Sequence, residues 1–411
     1  MQRGNEIKKS TPWGTLTGIR PAKVAEKLLV GGDNAESVTQ TLIEKYQASP
    51  DRAALCVETA QASLRVKKTL AQKDIALYVG IPFCPTRCAY CSFVSNSVEK
   101  SFKLVDPFVD TLIQEIEDLS KLVDEFGQRI ISIYIGGGTP TALPEPALER
   151  VFAKLTESFD FSFLREYTVE AGRPDTITDL NLEIMTRLGA KRICVNPQSM
   201  SAGVLSTIGR KHSPEDVFEA VKKLRKTGAA LNMDIIAGLP NDSLEGFLQT
   251  LDTVLELSPE NITVHTLSLK KGSRLMLEKT DAPKGEKPNI TLPTEPLEAL
   301  CGDVEQMLGV AAGRLRGSMY LPYYVYRQKY ISGGFENTGW SRPGYEGIYN
   351  ICMMEELCTV LAVGGGGVTK FVTADGRIER IFNAKYPLEY INMTEKMKEK
   401  NRRIREYAIS I

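Results

Sequence analysis

The stretch Tyr78-Val79-Gly80-Ile81-Pro82-Phe83-Cys84-Pro85-Thr86-Arg87-Cys88-Ala89-Tyr90-Cys91 carries a β-rich segment straight into a loop with three cysteines. Three thiolates so close together, Cys84, Cys88 and Cys91, can hold three corners of a four-iron cluster. Such clusters normally take four cysteines, so a compact set of three leaves one iron open to another ligand. A structural zinc needs four N or S ligands, and Cys56 and Cys194 both lie far along the chain. A disulfide would strand the third thiol.

Around this loop, residues 75–269 alternate short β-rich runs with amphipathic helical stretches. Strands are expected at 75–79, 130–135, 166–170, 192–195, 231–236 and 261–267. Between the first two, Asp106 can cap a helix, Pro107 suits its first turn, and Val109, Leu112, Ile113, Ile116 and Leu119 form one stripe. A second helix is expected from Ser243, burying Phe247, Leu248, Leu251, Val254 and Leu255. Six β–α units imply a parallel sheet, doubly wound or curled into a barrel. The distinctive residues choose between these. The cysteine loop, Gly136-Gly137-Gly138-Thr139-Pro140, Glu170, Asn196 with Gln198, Asp234, and His265 with Ser268 follow or end successive strands. Functional groups gather on that rim in (β/α) barrels, so an α/β fold with a partial six-unit barrel is expected.

A polar stretch at 278–296 precedes a helix near 297–310, and from about 317 the chain is rich in aromatics and glycine. The expected organisation is an N-terminal segment (1–70), the barrel (71–316) and a smaller α+β C-terminal domain (317–411). The Gly run at 364–367 reads as a packing or substrate-proximal turn, and the charged 396–405 as a solvated helix face.

Lys+Arg and Asp+Glu both number 51, so no global basic field points to nucleic acid. Eight cysteines are too sparse for a disulfide scaffold and fit a reducing compartment. The polar first residues are unlike a signal peptide, and no apolar run approaches the ~20 residues of a membrane span. A cytoplasmic protein without stable membrane insertion is expected. Of the two histidines, His212 lies in a polar stretch and reads as exposed, while His265 reads as a satisfied core residue or a substrate contact.

The cysteine loop, followed after the second strand by Gly136–Pro140, resembles the radical S-adenosylmethionine (SAM) superfamily. That resemblance implies a [4Fe–4S] cluster on Cys84, Cys88 and Cys91, whose open iron is chelated by SAM. An electron from the cluster then splits SAM into methionine and a 5′-deoxyadenosyl radical. Gly137, Gly138 and Thr139 match the segment that binds the methionine amino group. Glu170 would accept hydrogen bonds from a ribose or the SAM amine, and the Arg210 fork would pair with the methionine carboxylate. Tyr90 is placed to shelter the cluster or contact adenine. Tyr78, Gln198 and Ser268 complete the expected cofactor-binding set. Asp234, a charge in an apolar strand, needs a partner, either Arg210 or a ligand amine or hydroxyl. No catalytic side chain is assigned beyond the cluster ligands.

Within the superfamily, Tyr78 six residues before Cys84, the Ile81-Pro82-Phe83 lead-in, Glu170, Gln198, Arg210 and Asp234…Gly238-Leu239-Pro240 resemble the oxygen-independent coproporphyrinogen III oxidase group. Pro12-Trp13-Gly14, Thr17-Gly18-Ile19-Arg20-Pro21, Val169-Glu170-Ala171-Gly172-Arg173-Pro174 and Pro343-Gly344-Tyr345-Glu346 are similar to its HemZ-type branch. This implies oxidative decarboxylation of coproporphyrinogen III to protoporphyrinogen IX in haem biosynthesis, with a tetrapyrrole substrate and an electron donor such as flavodoxin or ferredoxin. The well-characterised dehydrogenases carry a further cysteine two residues after the third; here that residue is Phe93, as in the haem-chaperone branch. The chaperones' His-Asn before an aromatic pair is replaced by Tyr349-Asn350, with Cys352 nearby. A haem carrier, or a radical SAM methyltransferase acting on haem, is therefore the alternative. Tyr323, Tyr324, Tyr326, Arg327, Lys329, Tyr330, Trp340, Arg342, Arg20 and Lys23 would supply aromatic walls and cations for a tetracarboxylate macrocycle, or simply build the domain.

Overall fold

The computed structural model describes residues 11–16, 18, 20–91, 96–268, 273, 275, 301–327, 334–373 and 376–409. Phe93, Lys329, Tyr330, Thr17 and Ile19 lie outside them. All six expected strands form: β1 (Asp74–Ile81), β2 (Arg129–Gly137), β3 (Glu166–Val169), β4 (Arg192–Cys194), β5 (Ala230–Ala237) and β6 (Asn261–Thr266). They pair in parallel in chain order. Alternation explains the curl. On β2, Ile131, Ile133 and Ile135 are buried, while Tyr134 lines the interior cavity. A strand covered on both faces carries apolar residues towards its helices and leaves the other face for the interior.

The helix after β1 runs Val105–Glu125, with Leu104 rather than Asp106 at its cap position; Asp106 sits in the first turn. The helix after β5 starts as expected, with the Ser243 hydroxyl accepting from the Gly246 N–H. Helix Cys301–Gly317 packs on helix Leu244–Glu256 and leads out of the barrel region.

The chain beyond residue 317 adds strands to both edges of the same sheet. β7 (Leu321–Arg327) and β8 (Glu336–Ser341) extend it antiparallel from β6. At the other edge β9 (Thr359–Gly364) pairs parallel with β1, followed by antiparallel β10 (Val368–Val372) and β11 (Ile378–Phe382). The order across the eleven-stranded sheet is β11-β10-β9-β1-β2-β3-β4-β5-β6-β8-β7, an open arrangement among the described residues. The parallel run is therefore one strand longer than the six read from the sequence. One core runs from Trp13 through the barrel to Tyr390 and Ile404. Trp13 Nε1 donates to Glu336 on β8 at 2.8 Å, and Arg52 pairs with the same carboxylate.

The 396–405 stretch is not uniformly solvated. In helix Thr394–Ile409, Lys400 is buried and its ammonium meets Glu115 Oε1 (2.6 Å), Ala362 O (2.5 Å) and Asn383 Oδ1 (3.3 Å). Glu115 also accepts from the Gly364 N–H and the Tyr390 hydroxyl. This ionic cluster pins the C-terminal helix and the turn at 364–367 against helix Val105–Glu125. The turn itself is a packing device: Gly364, at φ +86°, lies so close to Gly80 that a Cβ would stand 2.2 Å from the Gly80 oxygen.

Candidate active site

The cysteine loop leaves β1 through a short strand, Phe83–Cys84, paired with Asn96–Ser97. The glycine loop is its floor. Gly138 N–H donates to Ile81 O (2.7 Å) and Thr139 N–H to Phe83 O (2.6 Å). Both donors are spent on the cysteine lead-in. A Cβ on Gly138 would meet Phe83 O at 2.3 Å, so only glycine lets the two loops touch. The Thr139 hydroxyl lies 3.4 Å from Cys84 Sγ. From the other side, Ala89 N–H donates to Ile208 O (2.9 Å).

Cys88 is buried, and two guanidiniums lie beside it. Arg173 Nη1 lies 3.7 Å from Cys88 Sγ. Arg210 lies beside Cys88 and Tyr90, and its Nη1 donates to Gly172 O (3.1 Å) and Asn196 O (2.6 Å). Its Nε is buried without a partner among the described residues. Tyr90 packs on Val204, Leu205, Ile208, Ile236 and Leu239. Three thiolates on one loop are the kind of donor set an iron–sulfur cluster takes, each thiolate on its own iron. The unpartnered Arg210 Nε and the buried, unpartnered Ser268 hydroxyl are polar atoms that a bound anionic or hydroxylated cofactor would satisfy.

Glu170 stands where β3 ends. Its Oε1 accepts from the Tyr134 hydroxyl and its Oε2 from Asn196 Nδ2 (3.2 Å). Burial, reinforced by the charge of Asp234, pushes its carboxyl from the ordinary 4.5 up to about 7. Asp234 does not pair with Arg210. Its partners are His265 Nε2 (3.7 Å) and Asn232 Nδ2 (2.9 Å). Burial would raise the Asp234 carboxyl, but His265 outweighs it and holds the group below its usual range. Burial would lower His265, yet the Asp234 bond and charge raise it. His265 Nδ1 faces Asn337 Oδ1 on β8 at 3.3 Å, so the side chain is held in an ion-pair network. Gln198 sits at φ +67° and bridges to β5, its N–H donating to Asp234 O (3.0 Å).

Glu170, Asp234 and His265 line a cavity of about 160 Å³ inside the barrel. Its wall continues through Tyr134, Thr168, Cys194 and Thr263 to Tyr323, Tyr324 and Tyr326 on β7, with Asn350. At its floor Arg192 Nη1 pairs with Glu166 Oε1 (2.7 Å). Tyr78 is not on this wall: it stacks on Tyr349, which in turn stacks on Tyr134 with centroids 4.5 Å apart.

The expected residues thus divide. The cysteines, Gly137, Gly138, Thr139, Tyr90 and Arg210 belong to the rim by the cysteine loop, Glu170 and Asp234 to the cavity, and Gln198 to the backbone between β4 and β5. Of the proposed substrate residues, the β7 tyrosines reach the cavity. Arg327 instead donates to Leu16 O and covers the Trp13 ring, Trp340 lies under Arg316, and Arg342 covers Tyr320. Arg20 and Lys23 are paired with Glu356. Cys352 is buried beside Cys358, and both are free thiols. His212, expected exposed, is buried; burial and then Arg210 depress its imidazole to about 4. Arg173 and Arg192 were not foreseen as site residues.

A family model described as the radical SAM superfamily matches residues 78–254. The chain is 37% identical over 383 residues to the oxygen-independent coproporphyrinogen-III oxidase-like protein HemZ of Bacillus subtilis, covering 92% of this chain and 74% of that protein. It is 27% identical over 314 residues to the haem chaperone HemW of Escherichia coli, covering 76% and 74% respectively. The solved structure of E. coli coproporphyrinogen III oxidase, HemN, superposes with a TM-score of 0.60 at 22% identity, covering 82% of this chain and 72% of that one. No helix among the described residues is long and apolar enough to cross a membrane. The three-cysteine loop on a parallel partial barrel, together with an alignment that runs nearly end to end, establishes that this chain belongs to the radical SAM family, in its coproporphyrinogen-III-oxidase-like group.

Proposed function

We propose that the chain is an oxygen-independent oxidoreductase that converts coproporphyrinogen III to protoporphyrinogen IX. The observation that carries this reading is the cavity bounded by Glu170, Asp234, His265 and the β7 tyrosines, inside the same barrel whose rim holds the cysteine loop. Cys84, Cys88 and Cys91 would hold the cluster, whose chemistry is to supply the electron that splits bound SAM. Glu170 and Asn196 present acceptor and donor atoms to a ribose or amine. Arg210, re-aimed from Cys88, and Ser268 would take a carboxylate or hydroxyl. Tyr78, Gln198, Gly137, Gly138 and Thr139 shape the backbone and stacking around that group. The tyrosines offer flat apolar faces with hydroxyl rims to a macrocycle.

Each vinyl group would form from a propionate by transfer of one β-hydrogen atom to the radical that cleaved SAM supplies, followed by loss of one electron to an acceptor and of CO₂. Low-potential electrons from a flavodoxin- or ferredoxin-type donor suit the cleavage of SAM. A cytoplasmic setting fits both.

The test is anaerobic incubation of the cluster-loaded protein with SAM, reductant and coproporphyrinogen III, following both porphyrinogens by mass. Appearance of protoporphyrinogen supports the reading, and a fully loaded cluster without turnover rejects it. One observation favours a second reading, haem carriage: Phe93 stands where the dehydrogenases have a cysteine. Stoichiometric haem binding without turnover would select it.

A further inference from the structure

We propose that Arg173 is a positioning residue that raises the reduction potential of the cluster by donating to the Cys88 sulfur. This rests on the reading that Cys84, Cys88 and Cys91 hold an iron–sulfur cluster.

The Arg173 side chain is 2% exposed, and its five N–H donors are all committed. Nε and Nη2 go to the Asp175 carboxylate at 3.1 and 3.3 Å. Nη2 also reaches Thr86 Oγ1 at 3.0 Å, while Nη1 reaches Thr86 O at 3.5 Å and Cys88 Sγ at 3.7 Å. No donor is left for a substrate or for SAM. The guanidinium is instead clamped by Thr86, two residues before the cysteine it touches, and by Asp175, two residues after itself.

Pro174 and the 3-10 turn Pro174–Thr176 fix the backbone that presents it. Cys88 is buried, so no water competes for its sulfur, and a fixed cation acts there at low dielectric. Hydrogen bonds and positive charge at cluster sulfurs favour the more negative, reduced state and raise the potential. Asp175 works against this by neutralising the guanidinium from behind. The pair is therefore a dial with opposed halves, and Arg rather than Lys is needed because only a planar fork spans sulfur, threonine and carboxylate together.

The experiment uses the full chain, reconstituted anaerobically with iron and sulfide. Iron per chain is measured, and the reductive titration is followed by EPR without SAM or substrate. Arg173→Gln should shift the reduction equilibrium about tenfold towards the oxidised cluster, about 59 mV for one electron. Arg173→Lys should recover part of that shift, and Asp175→Asn should move the potential the other way. Arg173→Gln with wild-type iron content and wild-type potential would overturn the proposal. If Arg173→Gln fails to take up iron, Asp175→Asn decides: a raised potential supports the proposal and an unchanged one overturns it. Failure of the wild type to bind iron at all would instead strike the cluster reading itself.

Discussion

Glu170→Gln isolates the most consequential charge in the cavity. The substitution keeps the shape and the acceptor for Tyr134 while removing the ionisable group. In the folded chain the Glu170 carboxyl holds its proton to about pH 7, whereas in the unfolded chain it ionises near its ordinary 4.5. The unfolded state therefore releases a proton first, and the folded state loses stability as pH rises between those values. At about 1.4 kcal/mol per pH unit, a gap of about 2.5 units costs the wild type about 3 kcal/mol that the glutamine variant does not lose. Urea unfolding of both proteins, repeated in steps from about pH 4.5 to about pH 7.5, measures the difference. The variant should gain on the wild type steadily across that interval and then run parallel to it. Profiles that stay parallel throughout would show that Glu170 is not desolvated as described, and the cavity would have to be wetter than its lining implies.

Further outcomes follow from other contacts. Asp234→Asn removes the charge that raises His265, so the His265 imidazole should titrate lower; proton NMR reads this easily in a chain with two histidines. Lys400→Met leaves the Glu115 carboxylate buried without its cation and should cost about 3 kcal/mol in urea unfolding, a loss below about 1 kcal/mol contradicting the buried-pair account. Gly138→Ala drives a methyl group into Phe83 O and should cost about 2 kcal/mol while lowering iron uptake below wild type. Normal iron content in that variant would show that the two loops do not depend on one another.

The parallel strands were legible because each is a short β-branched run that ends in a polar or glycine residue, with amphipathic stretches between. β9 was not, although Thr359-Val360-Leu361-Ala362-Val363-Gly364 carries the same signature. It joins β1 from the far end of the chain, and nothing local announces a pairing across more than 280 residues. The three cysteines of the loop stood out by spacing alone. Glu170 and Asp234 stood out as charges ending or interrupting apolar runs, but their partners did not: Tyr134 and Asn196, which meet Glu170, and His265, which meets Asp234, come from other β–α units, and pairing is a tertiary fact. His212 was misjudged from its polar neighbours. Its neighbour Ser213 is spent capping the next helix, and His212 itself is buried by the fold around it. Arg173 and Lys400 show the same limit, since a long cationic side chain is buried only when the fold supplies its acceptors.

The central claim is tested most directly by EPR of the reduced, reconstituted protein with and without SAM. If three cysteines hold the cluster and one iron is open, SAM should bind there and change the spectrum, and replacing any of Cys84, Cys88 or Cys91 by serine should abolish the signal. An identical spectrum in the presence of SAM, from protein carrying its full iron, would contradict it.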